Sequence, residues 1–148
     1  MKQTILAMAM MLMAGLTSAF AKNDEGVNKQ VQTSFSKDFN SASNVSWIVS
    51  KDFTKATFSM NNQIMFAYYD QNGELIATAR NILSEQLPIN LMSSLKRGYS
   101  DYWISELFEM DRDGVAAYYV TLENGDETMV LKSNSLNDWS LYKKAKKI

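Results

Sequence analysis

The chain has 148 residues, a formal net charge of −1, and neither histidine nor cysteine. Without these two residues it cannot build Ser-His-Asp or Cys-His catalytic machinery, disulfides or the usual zinc sites. The nearly balanced charge argues against a nucleic-acid-binding protein, because such proteins carry a strong basic excess. Chemistry that uses only carboxylates, as in glycoside hydrolases, is still open to this composition.

The first 21 residues have the three-part pattern of a secretory signal peptide. Lys2 provides a positive start, the run Ile5–Leu16 is almost entirely apolar, and an Ala-Phe-Ala cleavage site ends at Ala21. A membrane-spanning helix needs about 20 apolar residues, which is more than this run supplies. We therefore expect cleavage after Ala21, and a periplasmic or secreted product, residues 22–148, without an integral membrane segment.

Two later segments show the periodicity of amphipathic helices. In the first, apolar residues recur at every fourth position. The second follows Ser84 and Pro88, which are typical of helix starts, and ends near Gly98, which is typical of helix ends. Narrow apolar stripes of this kind belong to a protein core rather than to a ligand site. The stripes are Val27, Val31, Phe35 and Phe39 in the first helix, and Leu87, Leu91 and Leu95 in the second.

Short strands separated by turn-forming residues follow each helix. Apolar and polar residues alternate along them, which is the period of a half-buried strand. The pairs Asn61-Asn62, Asn72-Gly73 and Asn124-Gly125 predict tight hairpins. Asp111–Gly114 also predicts a turn, because its spacing lacks the closing glutamate of a calcium-binding EF-hand loop. The lysines of residues 143–147 are expected to form a solvated tail.

Helix, strands, helix, strands is the element order that these patterns predict. The fold class is α+β, with two tandem helix-plus-four-strand repeats at about 27–82 and 84–142. We expect the strands to form one curved antiparallel sheet with both helices packed on one face. Residues 22–148 are therefore predicted to be a single domain.

Short motifs spread over nearly all of residues 22–148 carry a family resemblance. They are Val31, Phe35 and Phe39, Asn44-Val45-Ser46-Trp47, Ala56-Thr57-Phe58, Ala67-Tyr68-Tyr69-Asp70, Asn72-Gly73-Glu74-Leu75, Leu87-Pro88, Tyr99, Ala117-Tyr118-Tyr119-Val120 and Lys132. Each motif is generic, but their order and spacing resemble the PepSY-like family, also described as β-lactamase-inhibitor-protein-like. The resemblance implies a small exported bacterial protein whose curved sheet has a concave face. It transfers no catalytic residue.

Aromatic residues on the predicted strands are the main candidates for a binding site. Adjacent residues of a strand point to opposite faces, so one tyrosine of each Tyr-Tyr pair should lie under the helices and the other on the helix-free face. Tyrosine and tryptophan are enriched where proteins recognise proteins, although both are also ordinary strand residues. The candidate partner-binding residues are Trp47, Tyr68, Tyr69, Tyr118, Tyr119 and Trp139.

We predict a non-enzymatic, exported binding or inhibitory module that engages an envelope protein or peptide through the helix-free sheet face, without a cofactor or metal. One alternative is a carrier of a small apolar ligand, which requires an enclosed cavity of about 300 Å³ or more. Another is a carboxylate-based hydrolase acting on glycans, which requires two acidic side chains about 5–10 Å apart in a pocket. Association of identical copies through strand edges is also left open.

Overall fold

A computed structural model describes residues 26–133 and 135–147, and the predicted signal peptide lies outside them. The described chain contains two ten-residue helices, α1 (Lys29–Asp38) and α2 (Ile89–Gly98), with a 3₁₀ turn at Ser84–Gln86 before α2. Neither helix has the length and hydrophobicity needed to cross a membrane. The strands are β1 (Ser43–Val49), β2 (Thr54–Met60), β3 (Gln63–Tyr69), β4 (Leu75–Asn81), β5 (Trp103–Arg112), β6 (Val115–Glu123), β7 (Glu127–Ser133) and β8 (Trp139–Lys146).

The eight strands form one antiparallel sheet whose order follows the chain from β1 to β8. Tight hairpins explain this order. Asn61 and Asn62, and likewise Asp113 and Gly114, have positive φ at both central positions, a geometry whose twist matches that of the flanking strands. The carboxylate of Asp111 accepts a hydrogen bond from the Gly114 amide at 3.2 Å, as expected of a turn. The predicted α+β class and the single antiparallel sheet are confirmed.

The first of two compact units ends at Ala77, and we refer to its described part as unit 1. Its core lies between α1 and the helix-facing side of β1–β3. The Phe35 ring is 5.0 Å from the rings of both Trp47 and Phe58, in edge-to-face geometry. A buried ring of this size contributes about 2 kcal/mol or more, and each aromatic pair adds about 1 kcal/mol. These contacts hold α1 on one side of its strands, and the described part of unit 1 places no helix on the other side, which we call the helix-free face.

The second compact unit, unit 2, begins at Thr78. Leu91 and Leu95 of α2 pack on the leucine and valine side chains of β5–β7. Trp139 joins this core at the start of β8, where its indole Nε1 donates a 3.0 Å hydrogen bond to the Leu91 carbonyl oxygen. This bond ties the last strand of the sheet to the first turn of α2.

The predicted lysine tail is wrong. β8 continues to Lys146 and pairs with β7, where Lys146 lies opposite Glu127. The ammonium of Lys144 forms a 2.9 Å ion pair with Glu127, and that of Lys147 forms one with Glu123 at 2.9 Å. Because acidic residues of β6 and β7 lie within reach, the basic run is held at the sheet edge instead of leaving the domain.

Candidate functional site

The structure separates the six aromatic residues predicted to bind a partner. Each tyrosine pair divides between the two faces as expected. Tyr69 belongs to the helix-side core of unit 1 and Tyr118 to that of unit 2. The strand register places Tyr68 and Tyr119 on the opposite, helix-free faces of their own units. The six residues therefore do not form one aromatic surface.

The helix-side members of this set have structural partners. Tyr69 donates a 3.0 Å hydrogen bond to the Asp38 carboxylate, and Tyr118 donates one of 3.2 Å to Glu109. Burial is the main cause that raises the pKa of both tyrosines, and the neighbouring carboxylates add to it. Trp47 packs under α1, and Trp139 lies under α2. All of the six except Trp47 are buried, so their rings present little area to a partner.

The helix-free face of unit 1 is formed by three rows of side chains that cross β1, β2 and β3. Residues paired in an antiparallel register point to the same face, so the register defines each row. This face is built from small hydroxyl residues, one lysine and a few large apolar residues. The rows are Ile48–Lys55–Tyr68, Ser46–Thr57–Phe66 and Ser43–Ser59–Ile64.

Lys55 and Tyr68 form the most unusual part of the helix-free face of unit 1. Lys55 is only 3% exposed, and in the described part of the chain no carboxylate forms an ion pair with it. Its ammonium lies 4.5 Å from the centre of the Phe66 ring, a cation–π contact. Burial lowers the pKa of Lys55. The buried Tyr68 hydroxyl has no hydrogen-bond partner among the described residues, and burial raises its pKa.

A pocket of about 470 Å³ opens on unit 1 beside the other two rows. Its origin is a β-bulge in β1, where the register shifts between Ser43 and Ser46. Asn44 adopts a φ of 52° in this bulge, a left-handed conformation that asparagine tolerates better than most residues. The extra residue disturbs the ladder at the sheet edge. No charged side chain lines the pocket, which is formed by Asn44, Val45, Ser46, Thr57, Phe58, Ser59 and Ile64.

Two isoleucines on the helix-free face of unit 1 are exposed. Ile48 is 46% exposed in the row of Lys55, and Ile64 is 53% exposed at the wall of the pocket. Neither residue is among the candidates predicted from the sequence, because all of those candidates are aromatic. Strand alternation is the sequence feature that identifies them, because each lies on the side of its strand opposite the residues that pack under α1.

Unit 2 carries an aromatic cluster with similar chemistry on its own helix-free face. The rings of Phe108 and Tyr119 stack with centres 4.9 Å apart, and the Tyr142 ring meets Tyr119 edge-on at 5.7 Å. The Lys132 ammonium lies 5.6 Å from the centre of the Tyr119 ring. Burial raises the pKa of Tyr119. Because the stacked pair is buried, this cluster stabilises the sheet rather than exposing a recognition surface.

Two further grooves border the helices. One of about 690 Å³ lies in unit 2, where Met92 of α2 and Tyr99 contribute to its wall, and one of about 330 Å³ lies in unit 1 beside Phe39 and Trp47. Glu85, in the larger groove, is the only carboxylate that lines either groove or the 470 Å³ pocket. None of the three therefore supplies the two acids that a carboxylate-based hydrolase uses. Residues 26–133 and 135–147 also contain no cluster of three acidic residues suited to a metal ion.

These observations define an α+β domain whose described residues form eight antiparallel strands and two helices and contain no acidic cluster suited to a metal ion. No protein-family profile and no curated protein matches the chain. Solved structures from Bacteroides do match, at identities that establish a shared fold alone.

A DUF2874 family protein from Bacteroides uniformis matches with a TM-score of 0.71 and 12% identity, covering 80% of this chain and 88% of its own. A BLIP-like protein from Bacteroides fragilis matches with a TM-score of 0.67 and 13% identity, covering 80% and 85%. A protein from Bacteroides eggerthii, named as an inferred periplasmic protein, matches at 0.71 and 11%, covering 80% and 88%. The fold is BLIP-like, and the PepSY-like relationship stays a prediction.

Proposed function

We propose that this protein is a non-enzymatic binding module of the cell envelope that engages a protein or peptide partner through the helix-free face of unit 1. The observation that carries the proposal is the 470 Å³ pocket on this face, bordered by the exposed Ile64. The face of an antiparallel sheet turned toward water is ordinarily polar. Exposed apolar residues beside a concavity are typical of interaction sites.

Lys55 adds a second reason to place the site on this face. A buried ammonium without a counter-charge destabilises a fold, because desolvation favours the neutral form. Cation–π contact with Phe66 offsets only part of this cost. Residues that lower stability without a structural benefit are common at functional sites. Lys55 and the Tyr68 hydroxyl are both buried, so they support the proposal through this stability cost and not as groups exposed to a partner.

The comparisons support binding rather than catalysis. One structural neighbour is named BLIP-like, which fits a protein-binding role. Identity at this level transfers a fold and not a partner. The ligand-carrier alternative draws on the open grooves beside the helices, but these are surface features and not the enclosed cavity that it requires.

We also propose that the chain is exported and that signal peptidase cleaves it after Ala21. Support comes from the sequence pattern of residues 1–21 and from the neighbour named as an inferred periplasmic protein. Mass spectrometry of the chain recovered from an envelope fraction should show Lys22 as the first residue. A product that retains the first 21 residues would contradict this proposal.

We also propose that residues at about 27–82 and 84–142 are two copies of one helix-plus-four-strand module. Both helices end in the same hydrogen-bonded turn. Phe39 N–H donates to the Phe35 carbonyl and Tyr99 N–H to the Leu95 carbonyl, each at 2.8 Å. β1 and β5, the first strand after each helix, both contain a bulge near the start. Superposition of the two modules in a crystal structure should overlay Phe39 on Tyr99 and the β1 bulge on the β5 bulge, and a poor overlay would contradict the proposal.

Site-specific photo-crosslinking tests the proposed binding face. A photoreactive amino acid is introduced at Ile64 in the full chain, in cells of the native host, and at Val115 as a control. Val115 is also an exposed apolar strand residue, but it belongs to a hairpin of unit 2. We expect a discrete crosslinked species from position 64 and none from position 115.

The test rests on the difference in crosslinking between positions 64 and 115. Equal crosslinking at both would show that apolar exposure alone captures neighbours. No crosslink at position 64 under conditions in which the protein is exported would overturn the proposed face. The position-64 experiment is then repeated in a chain that also carries Ser46→Arg, which places a charge at the pocket. The crosslinked species should disappear.

A further inference from the structure

The two edges of the sheet differ sharply in charge. β8 forms one edge and carries Lys143, Lys144 and Lys146, and lysine on an edge strand discourages pairing with other chains. β1 forms the other edge and contains no charged residue. Within the described chain β1 has one strand neighbour, β2. Its outer side therefore offers hydrogen-bonding groups without the usual protection.

The hairpin between β1 and β2 shows which groups those are. Ser50 N–H donates to the Phe53 carbonyl at 2.9 Å, so these two residues form a hydrogen-bonded pair at the hairpin end. In an antiparallel ladder, hydrogen-bonded and non-hydrogen-bonded pairs alternate. The Val49–Thr54 and Trp47–Ala56 pairs are then non-hydrogen-bonded, and the amides and carbonyls of Val49 and Trp47 point outward from the sheet.

We infer that β1 binds an extended, uncharged segment of the partner protein as an added strand, with one apolar side chain of that segment in the 470 Å³ pocket. The inference rests on the proposed function and names the chemistry of the partner. Backbone bonds to Trp47 and Val49 would provide affinity, and the pocket would provide specificity, as in other cases of strand addition. The occupant is apolar because no charged side chain lines the pocket or β1.

A second copy of this chain fits the edge less well than a regular peptide strand. Two-fold pairing of β1 with itself would oppose one bulged strand with another. Each copy would contribute only four regular strand residues to this pairing, Ser46 to Val49, because the bulge interrupts the rest of β1. A partner strand without a bulge can follow the ladder and still direct a side chain toward the concavity that the bulge creates.

The bulge also explains why the pocket lies at this edge. It places two residues of β1, Asn44 and Val45, opposite the single residue Phe58 of β2, whereas a regular ladder pairs residues one to one. Bulges are common at sheet edges and beside functional sites, where they redirect side chains. Here the redirected stretch forms one wall of the pocket, with Thr57 and Ile64 opposite.

Peptide selection on the full chain tests this inference. A phage-displayed library of random heptapeptides is panned against the protein, and selected peptides are synthesised and measured by calorimetry. We expect sequences without charged residues or proline at the centre and with one large apolar residue at a fixed position. Val49→Pro should weaken binding about tenfold or more, because it removes an outward N–H that the peptide carbonyl needs. Val49→Ala, which keeps that N–H, should stay within about twofold.

A second measurement is independent of the folding of Val49→Pro. The selected peptide is N-methylated either at the amides that would face β1 or at the alternate amides that would face away from it. Methylation of the first set should abolish binding to the unchanged protein, and methylation of the second set should leave binding intact. Equal binding by all methylated peptides, no selected peptide, or a dimer by light scattering that Val49→Pro dissociates would each overturn the inference. If crosslinking from Ile64 persists in Val49→Pro, the binding face stands and only strand addition fails.

Discussion

Lys55 lies directly opposite Tyr68 in the β2–β3 register, and both side chains are buried on the side of unit 1 that has no helix. The Tyr68 hydroxyl has no hydrogen-bond partner within the described chain, and Lys55 is held mainly by the Phe66 ring. An unsatisfied buried polar group costs about 1–3 kcal/mol. An apolar substitution on this face can therefore raise the stability of the protein.

Replacing Lys55 with methionine should stabilise the protein. Methionine keeps the unbranched apolar stem and removes a charge that burial disfavours, so we expect a gain of about 1 kcal/mol in the free energy of unfolding. Urea denaturation near neutral pH measures it. Lys132→Met is the matched control, because Lys132 also lies over a tyrosine ring but is only half-buried. The control should change stability by less than half as much.

The pH dependence of stability tests whether the buried charge of Lys55 causes the difference between Lys55→Met and the unsubstituted protein. The pKa of Lys55 in the folded protein lies below its ordinary value of 10.5. Between the folded pKa and 10.5, the unfolded chain therefore binds more protons than the folded chain. Stability of the unsubstituted protein should consequently rise with pH through that window. Lys55→Met should lack this rise. A loss of stability on substitution would show that the ammonium has a compensating partner and would remove the argument for a functional lysine.

Gly73→Ala should be among the most destabilising single-methyl additions in the protein. Gly73 has a φ of 81°, and an added Cβ would lie 2.9 Å from the Gln30 carbonyl carbon of α1, a backbone atom that cannot move independently. Gly114 has a similar φ of 77° but nothing within 4 Å of its Cβ position. Gly114→Ala should cost about 1 kcal/mol from backbone strain, and Gly73→Ala about 2 kcal/mol more from the clash.

Thermal denaturation of both glycine variants separates the two contributions. The difference between their melting temperatures reports the approach of the β3–β4 loop to α1, since strain from positive φ is common to both. Similar melting temperatures for the two variants would contradict the close packing of Gly73 on the Gln30 backbone.

Most of the fold could be predicted from local patterns, because its determinants are local. Period-two alternation marks the strands, and Asn61-Asn62 predicts a tight hairpin whose positive φ values the structure shows. Pro88, expected in the first helical turn, is the residue just before α2. These features depend on neighbouring residues, which the sequence places side by side.

The binding face could not be predicted in the same way, because it depends on contacts between strands. Asparagine is typical of turns, but pairing with β2 makes Asn44 part of a bulge inside β1. The basic run at 143–147 predicts a tail when only neighbouring residues are considered. Its ion pairs, Lys144 with Glu127 and Lys147 with Glu123, join it to other strands. Burial of Tyr68 is likewise a tertiary property, and alternation along β3 fixes only the face on which it lies.

Trp139→Phe should destabilise the protein more than Trp103→Phe. The Trp139 indole is buried and donates to the Leu91 carbonyl, so phenylalanine loses a hydrogen bond and leaves a small void, at a cost of about 2 kcal/mol. Trp103 is 53% exposed and contacts the Lys147 ammonium, so its replacement should cost less than about 1 kcal/mol. Chemical denaturation of both variants measures the difference, and equal costs would contradict the anchoring role of Trp139.

Glu127 should contribute to acid sensitivity. A hydrogen bond from Tyr102 and an ion pair with Lys144 hold the pKa of Glu127 below its ordinary value of 4.5, with the Tyr102 bond the larger cause. A carboxyl with a depressed folded pKa stabilises the protein above its unfolded pKa, and this contribution disappears as the pH falls through the folded pKa. Stability should therefore decline below pH 4.5, and Glu127→Gln should remove part of that decline.

Comparison of complete stability–pH profiles isolates the Glu127 contribution from that of the other carboxylates. Glu74→Gln is the control, because Glu74 is an exposed loop residue. Tyr102→Phe should act in the same direction as Glu127→Gln, since it removes the larger cause of the shift and moves the folded pKa of Glu127 back toward 4.5. A double variant should then show little further change, because both substitutions act on the same proton. Additive flattening of the profile by Tyr102→Phe and Glu127→Gln would contradict the coupling between these residues.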